Sequence, residues 1–255
     1  MPALVYLAGA GPGDPELLTL KAARLIATAD VILHDSLVDA RIIALARPSA
    51  TCIDVGKRCG RRSTSQQDIN RLLVECAQAG NIVVRLKGGD PMIFGRATEE
   101  LQALEAHNIA YEIIPGVTAA TAAAAALGVS LTQRKIARTL HFLTGHGAED
   151  GLPVHDWVAL TRAGGTLVIY MGRDTISGLA AHLIEAGMPP DMPAAAVENV
   201  SLPDEHILLG TIASLPRRLR QRGGNAPTLI LLGEALDDEN KVELRLRRTM
   251  ANAPF

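Results

Sequence analysis

Aromatic side chains are scarce in this sequence of 255 residues, where only 3% of positions are Phe, Trp or Tyr. Proteins that bind single-stranded nucleic acid stack bases on aromatic rings, so we expect no nucleic-acid partner of that kind. An excess of charge is also missing, because 25 basic residues face 27 acidic ones for a net charge of −2. This balance argues against a general polyanion binder. Hydrophobic residues make up 48% of the chain, which is enough for a buried core and excludes intrinsic disorder.

The sequence also lacks paired cysteines and long apolar runs. Its three cysteines, Cys52, Cys59 and Cys76, form no Cys-x-x-Cys pair, so we expect neither a disulfide framework nor a structural zinc site. The alanine-rich stretch at 119–129 is shorter than the roughly 20 apolar residues that cross a bilayer. No basic stretch precedes the first apolar residues, which is unlike a signal peptide. We therefore expect a cytoplasmic protein with no membrane partner.

Short apolar runs alternate with helical patterns through the first part of the chain. The predicted strands cover residues 5–8, 31–34, 52–55, 82–87 and 110–114. The predicted helices lie between them at 16–28, 40–45, 66–79 and 97–107. Strand and helix in alternation predict a mostly parallel sheet with helices on its faces.

Pro115-Gly116 interrupts this alternation, and a second series begins after it. Its predicted strands lie at 140–144, 166–171, 194–198, 207–209 and 228–232, and its predicted helices at 118–127, 176–186 and 212–221. We therefore predict an α/β fold class with two α/β domains on mostly parallel sheets. The domain bounds are 1–115 and 116–236, and a charged tail follows at 237–255. Clefts between domains of this kind commonly hold ligands.

A glycine-rich loop, Gly9-Ala10-Gly11-Pro12-Gly13-Asp14-Pro15, follows the first predicted strand. Asp14 suits a helix N-cap and Pro15 suits the first helical position, so a tight strand-to-helix turn is one interpretation. A dinucleotide fingerprint is the other, but its spacing is Gly-x-Gly-x-x-Gly, whereas this loop has Gly-x-Gly-x-Gly. Pro12 also lacks an amide donor, and Asp14 and Glu16 place negative charge where a pyrophosphate would lie. If the loop binds a ligand, we expect one that is not anionic.

A second loop, Lys87-Gly88-Gly89-Asp90-Pro91, follows a strongly apolar predicted strand. The two glycines permit close approach of the backbone to a ligand, and a carboxylate at Asp90 could receive ribose hydroxyls or a cationic group. An isolated motif of this kind is more often a turn than a site. Two such loops at the ends of neighbouring strands favour the functional interpretation.

These loops belong to a longer series of motifs that resembles the tetrapyrrole methylase family, and within it the uroporphyrinogen-III C-methyltransferases. The similarity spans residues 4 to about 235. The motifs that carry it are Tyr6-Leu7, the loop at 9–15, Ala29-Asp30-Val31, His34-Asp35-Ser36-Leu37-Val38, Val55-Gly56-Lys57-Arg58, Gln66 with Ile69-Asn70, the segment at 85–91, Ile93-Phe94-Gly95-Arg96, Pro115-Gly116-Val117-Thr118-Ala119 and Thr144-Gly145-His146.

The resemblance implies S-adenosylmethionine as methyl donor, with S-adenosylhomocysteine as its product, bound between two α/β domains rather than in a Rossmann site. The loop at 9–15 is acidic and contains a proline. It suits this cofactor, which carries a sulfonium cation and no phosphate. The cofactor contacts implied are Pro12, Gly88, Gly89, Asp90, Ile93, Thr118, Ala119, Met171 and a backbone group near Val200. From the sequence alone, a methionine at the end of a strand, such as Met171, would more often be a core residue.

The reaction implied by the resemblance is methylation of uroporphyrinogen III at C2 and C7, which gives precorrin-2 through precorrin-1. Acid–base roles are implied for Asp35 and Lys57. Arg96, Glu99 and Arg134 match positions linked to substrate binding or proton removal. The catalytic candidates are thus Asp35, Lys57, Arg96 and Glu99, and the substrate-binding candidates are Arg96, Arg134 and Lys57.

The substrate carries eight carboxylates and therefore needs guanidinium and ammonium partners. Basic residues form two clusters, one of Lys57, Arg58, Arg61 and Arg62 and one of Arg134, Lys135 and Arg138. Either cluster alone is typical of a solvated surface. Beside the cofactor loops, we expect at least one arginine from each to meet a carboxylate.

Several positions differ from the family pattern. Ala97-Thr98 stands where Gly-Gly is common, Gln133 where histidine is usual, Ser130 where proline is usual, and Asn199-Val200 where Asn-Gly is more typical. None of these differences removes a charged catalytic candidate. They affect the expected fit of the substrate rather than use of the cofactor.

Two alternatives stay open at this point. One is a sibling methylase of the same fold acting on a later precorrin or another substrate, and the other is a nucleotide-dependent oxidoreductase or a binding module. Acidic Asp14 and Glu16 count against the latter. His141 and His146 lack metal-ligand spacing, so we predict no metal. The resemblance also implies a homodimer.

Overall fold

The computed structural model describes residues 4–56, 65–147 and 151–237. The chain divides into two compact units, Met1–Ala119 and Ala120–Phe255. Apart from Asp237, the predicted tail lies outside the described residues. No helix in the described ranges combines the length and apolar character needed to cross a membrane.

Strands and helices alternate in the first unit. The strands are β1 (Leu4–Gly9), β2 (Val31–His34), β3 (Thr51–Asp54), β4 (Ile82–Lys87) and β5 (Ala110–Ile114), and the helices are α1 (Leu20–Thr28), α2 (Ala40–Ile43), α3 (Gln66–Gln78) and α4 (Ala97–Ala106). The sheet has the order β3-β2-β4-β1-β5, and its pairings are parallel. The prediction of a mostly parallel sheet is confirmed for this unit.

Helices cover both faces of this sheet. Successive residues of a strand point to opposite faces, so each central strand contributes to two cores. Val5 and Leu7 of β1 pack in one core with residues of α3 and α4. Ala8 of β1 and Leu86 of β4 pack in the other core with residues of α1 and α2. The apolar character of β1 and β4 follows from this burial on both sides.

The first predicted helix, at 16–28, is two elements in the structure. Pro15–Leu17 forms a single 3-10 turn, and Asp14 caps it by accepting the Glu16 amide at 2.9 Å. The α-helix starts only at Leu20, where Thr19 Oγ1 accepts the Ala22 amide at 3.2 Å. Asp14 and Thr19 each cap a helical segment from an extended backbone conformation, which interrupts the helical hydrogen bonding. The sequence therefore contains two helix starts where we predicted one.

The second unit contains a mixed sheet. Its helices are α5 (Ala119–Leu127), α6 (Trp157–Ala163), α7 (Ile176–Glu185) and α8 (Leu215–Arg222), and its strands are β6 (Leu140–Thr144), β7 (Thr166–Tyr170), β8 (Pro193–Glu198), β9 (His206–Thr211) and β10 (Thr228–Leu232). The order is β6-β7-β10-β8-β9, and only the β6–β7 pairing is parallel among the described strands. The prediction of a mostly parallel sheet is therefore wrong for this unit. The connection at 199–205 between β8 and β9 is too short for the crossover that parallel pairing requires.

Two helices of the second unit differ from the prediction. Helix α8 begins at Leu215 rather than at 212, because Thr211 and Ser214 form a turn in which the Ser214 amide donates to the Thr211 carbonyl at 3.0 Å. Helix α6 was not predicted. It has only seven residues, and its contact with the core comes from the partly buried Trp157 and Leu160, so the helix is too short to give a clear apolar period in the sequence.

Candidate functional site

The central strands of the first sheet, β1 and β4, form a topological switch point. The chain leaves β1 for β2 on the far side of β4, and it leaves β4 for β5 on the far side of β1. Connections that run in opposite directions open a crevice at the carboxyl ends of the two strands, where α/β proteins bind ligands. The two glycine-rich loops predicted from the sequence follow these two strands.

The loops after β1, β4 and β5 are tied together by backbone contacts. The Gly89 amide donates to the Gly11 carbonyl at 2.7 Å, and the Ala10 amide donates to the Lys87 carbonyl at 2.8 Å. A Cβ on Gly9 would lie 2.6 Å from the Cα of Gly116, which is closer than real contacts allow. Gly9 is therefore required for the loops to meet.

Gly89 is a glycine for a different reason. Its φ of +67° lies in the left-handed region, which favours glycine. A Cβ there would have its nearest neighbour, the Cα of Thr118, only at 4.0 Å, so the space over Gly89 is open. A ligand can approach this piece of backbone closely.

Asp90 connects the loop after β4 to the loop after β5. Its Oδ1 accepts the Met92 amide at 2.8 Å, and its Oδ2 accepts the Gly116 amide at 3.0 Å. The carboxylate is thus oriented by two backbone donors. Each oxygen still has a lone pair for a hydroxyl or a cation.

Asp35 follows β2 and contacts the Gly88 backbone. Its Oδ2 accepts the Gly88 amide at 3.0 Å, and its Oδ1 accepts the Leu37 amide at 3.0 Å. The half-buried carboxylate is held in one orientation by these two bonds. The structure therefore brings the predicted acid–base residue Asp35 next to the predicted cofactor residue Gly88.

Arg96 and Glu99 form an ion pair at the start of α4. Arg96 Nη2 lies 2.6 Å from Glu99 Oε1, and Arg96 Nε lies 3.0 Å from Glu99 Oε2. Hydrogen bonding from Arg96 lowers the pKa of Glu99 below its ordinary value. A carboxylate with a lowered pKa is a weaker base, which counts against Glu99 as the proton acceptor.

A second ion cluster lies behind these loops and was not predicted. Glu100 Oε1 accepts Lys87 Nζ at 2.8 Å and Arg85 Nε at 3.1 Å, and all three side chains are at most 5% exposed. Glu100 Oε2 has no hydrogen-bond partner among the described residues. Burial lowers the pKa of Lys87, and the like charge of Arg85 adds to this, whereas Glu100 and Asp35 oppose it. The available signal was the presence of two basic residues at alternate positions of an otherwise apolar strand.

The predicted cofactor residues of the second unit lie at or beside left-handed backbone. Met171, just after β7, has a φ of +54° and is 53% exposed, so its interpretation as a core residue is wrong. Val200 is buried, and its neighbours Asn199 and Ser201 have φ angles of +48° and +62°. A residue other than glycine is strained in the left-handed region, so it persists there only where the surrounding structure holds it. Such residues cluster at ligand sites. Phe94 and Arg96 in the first unit share this conformation, at +53° and +54°.

Some of the remaining predicted site residues lie within the described ranges, and others lie outside them. Pro12, Ile93, Thr118 and Ala119 are half-buried, and Arg134 is exposed. Lys57 lies outside the described residues, as do Arg58, Arg61 and Arg62. No group of three His, Cys, Asp or Glu side chains within the described ranges could hold a metal ion. The expectation that the protein uses no metal stays a prediction.

The sequence matches the family model described as Tetrapyrrole (Corrin/Porphyrin) Methylases over residues 4–216. It is 46% identical over 238 residues to a siroheme synthase of Methylococcus capsulatus, covering 93% of this chain and 50% of that protein. The chain spans about half the length of the siroheme synthases it matches.

Two solved structures resemble the chain over nearly its whole length. A uroporphyrin-III C-methyl transferase from Thermus thermophilus, complexed with S-adenyl homocysteine, has a TM-score of 0.79 and 40% identity, covering 91% of this chain and 98% of that chain. A cobalt precorrin-4 methyltransferase of cobalamin biosynthesis has a TM-score of 0.83 and 30% identity, covering 92% and 96%. With the family model matching most of its length, this chain belongs to the tetrapyrrole methylase family.

Proposed function

We propose that this chain transfers methyl groups from S-adenosylmethionine to C2 and C7 of uroporphyrinogen III, giving precorrin-2 through precorrin-1. The observation that carries the proposal is the placement of Asp35 and the Gly88–Asp90 loop just after β2 and β4 of one sheet, with the Arg96–Glu99 pair at the start of the helix that follows β4. Similarity to the Thermus uroporphyrin-III C-methyl transferase supports it.

The residues at the switch point fit a sulfonium nucleoside better than a phosphate ligand. Pro12 has no amide to offer, and the Glu16 amide is already bound by the Asp14 carboxylate. The open backbone at Gly89 and the remaining lone pairs of Asp90 suit a neutral or cationic group with hydroxyls. When bound, S-adenosylmethionine supplies an electrophilic methyl group.

Nine residues would hold this cofactor. They are Pro12, Gly88, Gly89, Asp90, Ile93, Thr118, Ala119, Met171 and Val200. Asp90 orients the loops after β4 and β5 through the Met92 and Gly116 amides.

Substrate positioning and proton removal fall to the other charged residues. Asp35 is oriented by two amides. The methylated carbon carries no hydrogen, so the proton released on methyl transfer leaves another position of the macrocycle, and a carboxylate oxygen of Asp35 accepts it. Arg96 binds a substrate carboxylate, and its half-exposed guanidinium is reachable by one. Exposed Leu37, Met92 and Phe94 offer apolar surface near these groups for the faces of the macrocycle. Lys57 and Arg134 remain proposed substrate ligands, and we also propose a cytoplasmic homodimer.

An anaerobic assay tests the reaction. Purified protein is incubated with uroporphyrinogen III and S-adenosylmethionine, and the mass of the tetrapyrrole is measured. We expect a gain of two methyl groups. An unmodified tetrapyrrole in a preparation that binds S-adenosylhomocysteine would refute the substrate and leave the cofactor in place.

Similarity to the cobalt precorrin-4 methyltransferase favours a second candidate, a sibling methylase that acts on a later precorrin. The same assay distinguishes the two. A chain that methylates a later precorrin and leaves uroporphyrinogen III unchanged would establish this alternative.

Calorimetry of Asp90→Ala tests the cofactor site. Two backbone amides lose their acceptor, so we expect affinity for S-adenosylhomocysteine to fall about 10- to 100-fold. Asp39→Ala is the matched control, because Asp39 also accepts a backbone amide, from Arg41 at 2.8 Å, but at the surface start of α2. Equal affinities of wild type and Asp90→Ala would remove Asp90 from the site.

A further inference from the structure

The buried Lys87–Glu100 pair has no role in the function proposed so far. The Lys87 side chain is 5% exposed and the Glu100 side chain is fully buried, so neither can touch a substrate in solution. Burying charges is costly even when they are paired. A charged pair at the end of the strand that carries the Gly88–Asp90 loop therefore calls for an explanation.

Lys87 lies among the loops around the switch point. Its carbonyl accepts the Ala10 amide at 2.8 Å, and the next amide, of Gly88, donates to Asp35 at 3.0 Å. A Cβ on Gly95 would lie 3.1 Å from Lys87 Cε, so the stem of the lysine passes beside the turn between Phe94 and Arg96. The ammonium reaches Glu100 of α4.

The side chain of Lys87 makes a connection that the backbone does not make. The bonds that join the end of β4 to the Ala10 and Asp35 loops use the Lys87 carbonyl and the Gly88 amide, so they do not depend on which side chain residue 87 carries. Lys87 Nζ links the end of β4 to α4, which begins just after Arg96, through Glu100 Oε1 at 2.8 Å. Arg85 Nε reaches the same oxygen at 3.1 Å from a position two residues earlier in β4.

Arg85 has further partners besides Glu100. It donates to the Leu33 carbonyl at 3.3 Å and to the Leu86 carbonyl at 3.2 Å. Removal of the Lys87 charge therefore leaves a buried Arg85–Glu100 pair that is neutral overall. This makes the function of Lys87 separable from the fold.

We propose that Lys87 is a positioning residue for the tetrapyrrole: by holding Glu100, it fixes Arg96 and the turn at Phe94 relative to Asp35. The inference rests on the proposed function and deepens it, because Arg96 is the proposed ligand of a substrate carboxylate and Asp35 the proposed proton acceptor. A shift of about 1 Å between such groups can lower a rate about 100-fold.

The test compares Lys87→Met with wild type in three measurements. These are the unfolding temperature, the affinity for S-adenosylhomocysteine by calorimetry, and kcat with uroporphyrinogen III under anaerobic conditions. We expect kcat to fall about 10- to 100-fold, while cofactor affinity stays within about threefold. Lys21→Met is the matched control, since Lys21 pairs with Glu112 on the exposed surface of the same unit. Its kcat should equal that of wild type.

Lys87→Gln is the second variant, since it keeps an N–H donor near Glu100 without the charge, and we expect an intermediate kcat. Normal kcat in both variants would overturn the inference. Loss of cofactor affinity in parallel with kcat would also overturn it, as would unfolding of both variants, because the pair would then serve the loop or the fold rather than the substrate. Failure of wild type to methylate uroporphyrinogen III would instead refute the proposed function and, with it, the inference.

Discussion

Glu99 and Glu100 are consecutive glutamates of α4 with opposite environments. The Glu99 side chain is 42% exposed and pairs with Arg96 on its own helix segment, whereas Glu100 is fully buried and pairs with Lys87 and Arg85 of β4. One residue along a helix turns the side chain by about 100°, which is enough to separate solvent from core. The pair at the surface is free to act on a ligand, and the buried pair is fixed.

Glu100→Gln should give the largest effect, on stability. It leaves two cations buried without a carboxylate, and breaking a buried ion pair in this way costs about 3–5 kcal/mol. Urea unfolding of Glu100→Gln and Glu99→Gln measures the difference. We expect Glu99→Gln to stay within about 1 kcal/mol of wild type. Equal losses of unfolding free energy in the two variants would show that burial does not distinguish Glu99 from Glu100.

Arg96→Ala should affect turnover more than stability. The half-exposed Arg96–Glu99 pair contributes little to folding, but a guanidinium that binds a substrate carboxylate contributes about 1.5–3 kcal/mol, or about 10- to 100-fold in kcat/KM. Kinetics with uroporphyrinogen III and calorimetry with S-adenosylhomocysteine measure the two effects separately. Full activity would remove Arg96 from the mechanism.

The smallest expected effect is the pH dependence of stability that comes from the Arg96–Glu99 pair. Hydrogen bonding from Arg96 lowers the pKa of Glu99, so the pair stabilises the folded protein above the ordinary glutamate pKa of 4.5, and this stabilisation is lost as the pH falls through the lowered value. Because both side chains are about half-exposed, we expect the pair to contribute about a few tenths of a kcal/mol to the free energy of unfolding. Unfolding of wild type and Glu99→Gln from pH 6 to pH 3 measures it. A difference that stays constant from pH 6 to pH 3 would contradict the assignment.

The sequence predicted the parts of the site that depend on local pattern. The glycine-rich loops, the Asp14 cap and the alternation of the first unit are all local, and the structure confirms them. The direction of β8, β9 and β10 was predicted wrongly, because strand pairing depends on distant residues and not on the apolar runs themselves. The contact between Lys87 and Glu100 was missed for the same reason, since it depends on how α4 is rotated against β4.

The left-handed residues at the candidate site have a consequence for laboratory evolution. Among the described residues other than glycine, seven have positive φ angles, and all except Asn108 lie at or beside predicted ligand positions. A left-handed conformation costs a residue with a side chain roughly 1 kcal/mol, which glycine would recover. Selection for heat resistance alone would therefore favour glycine at Phe94, Arg96 and Met171. A thermostable library of this chain would be enriched in variants that lack those side chains, so it must be screened for methyl transfer at every round.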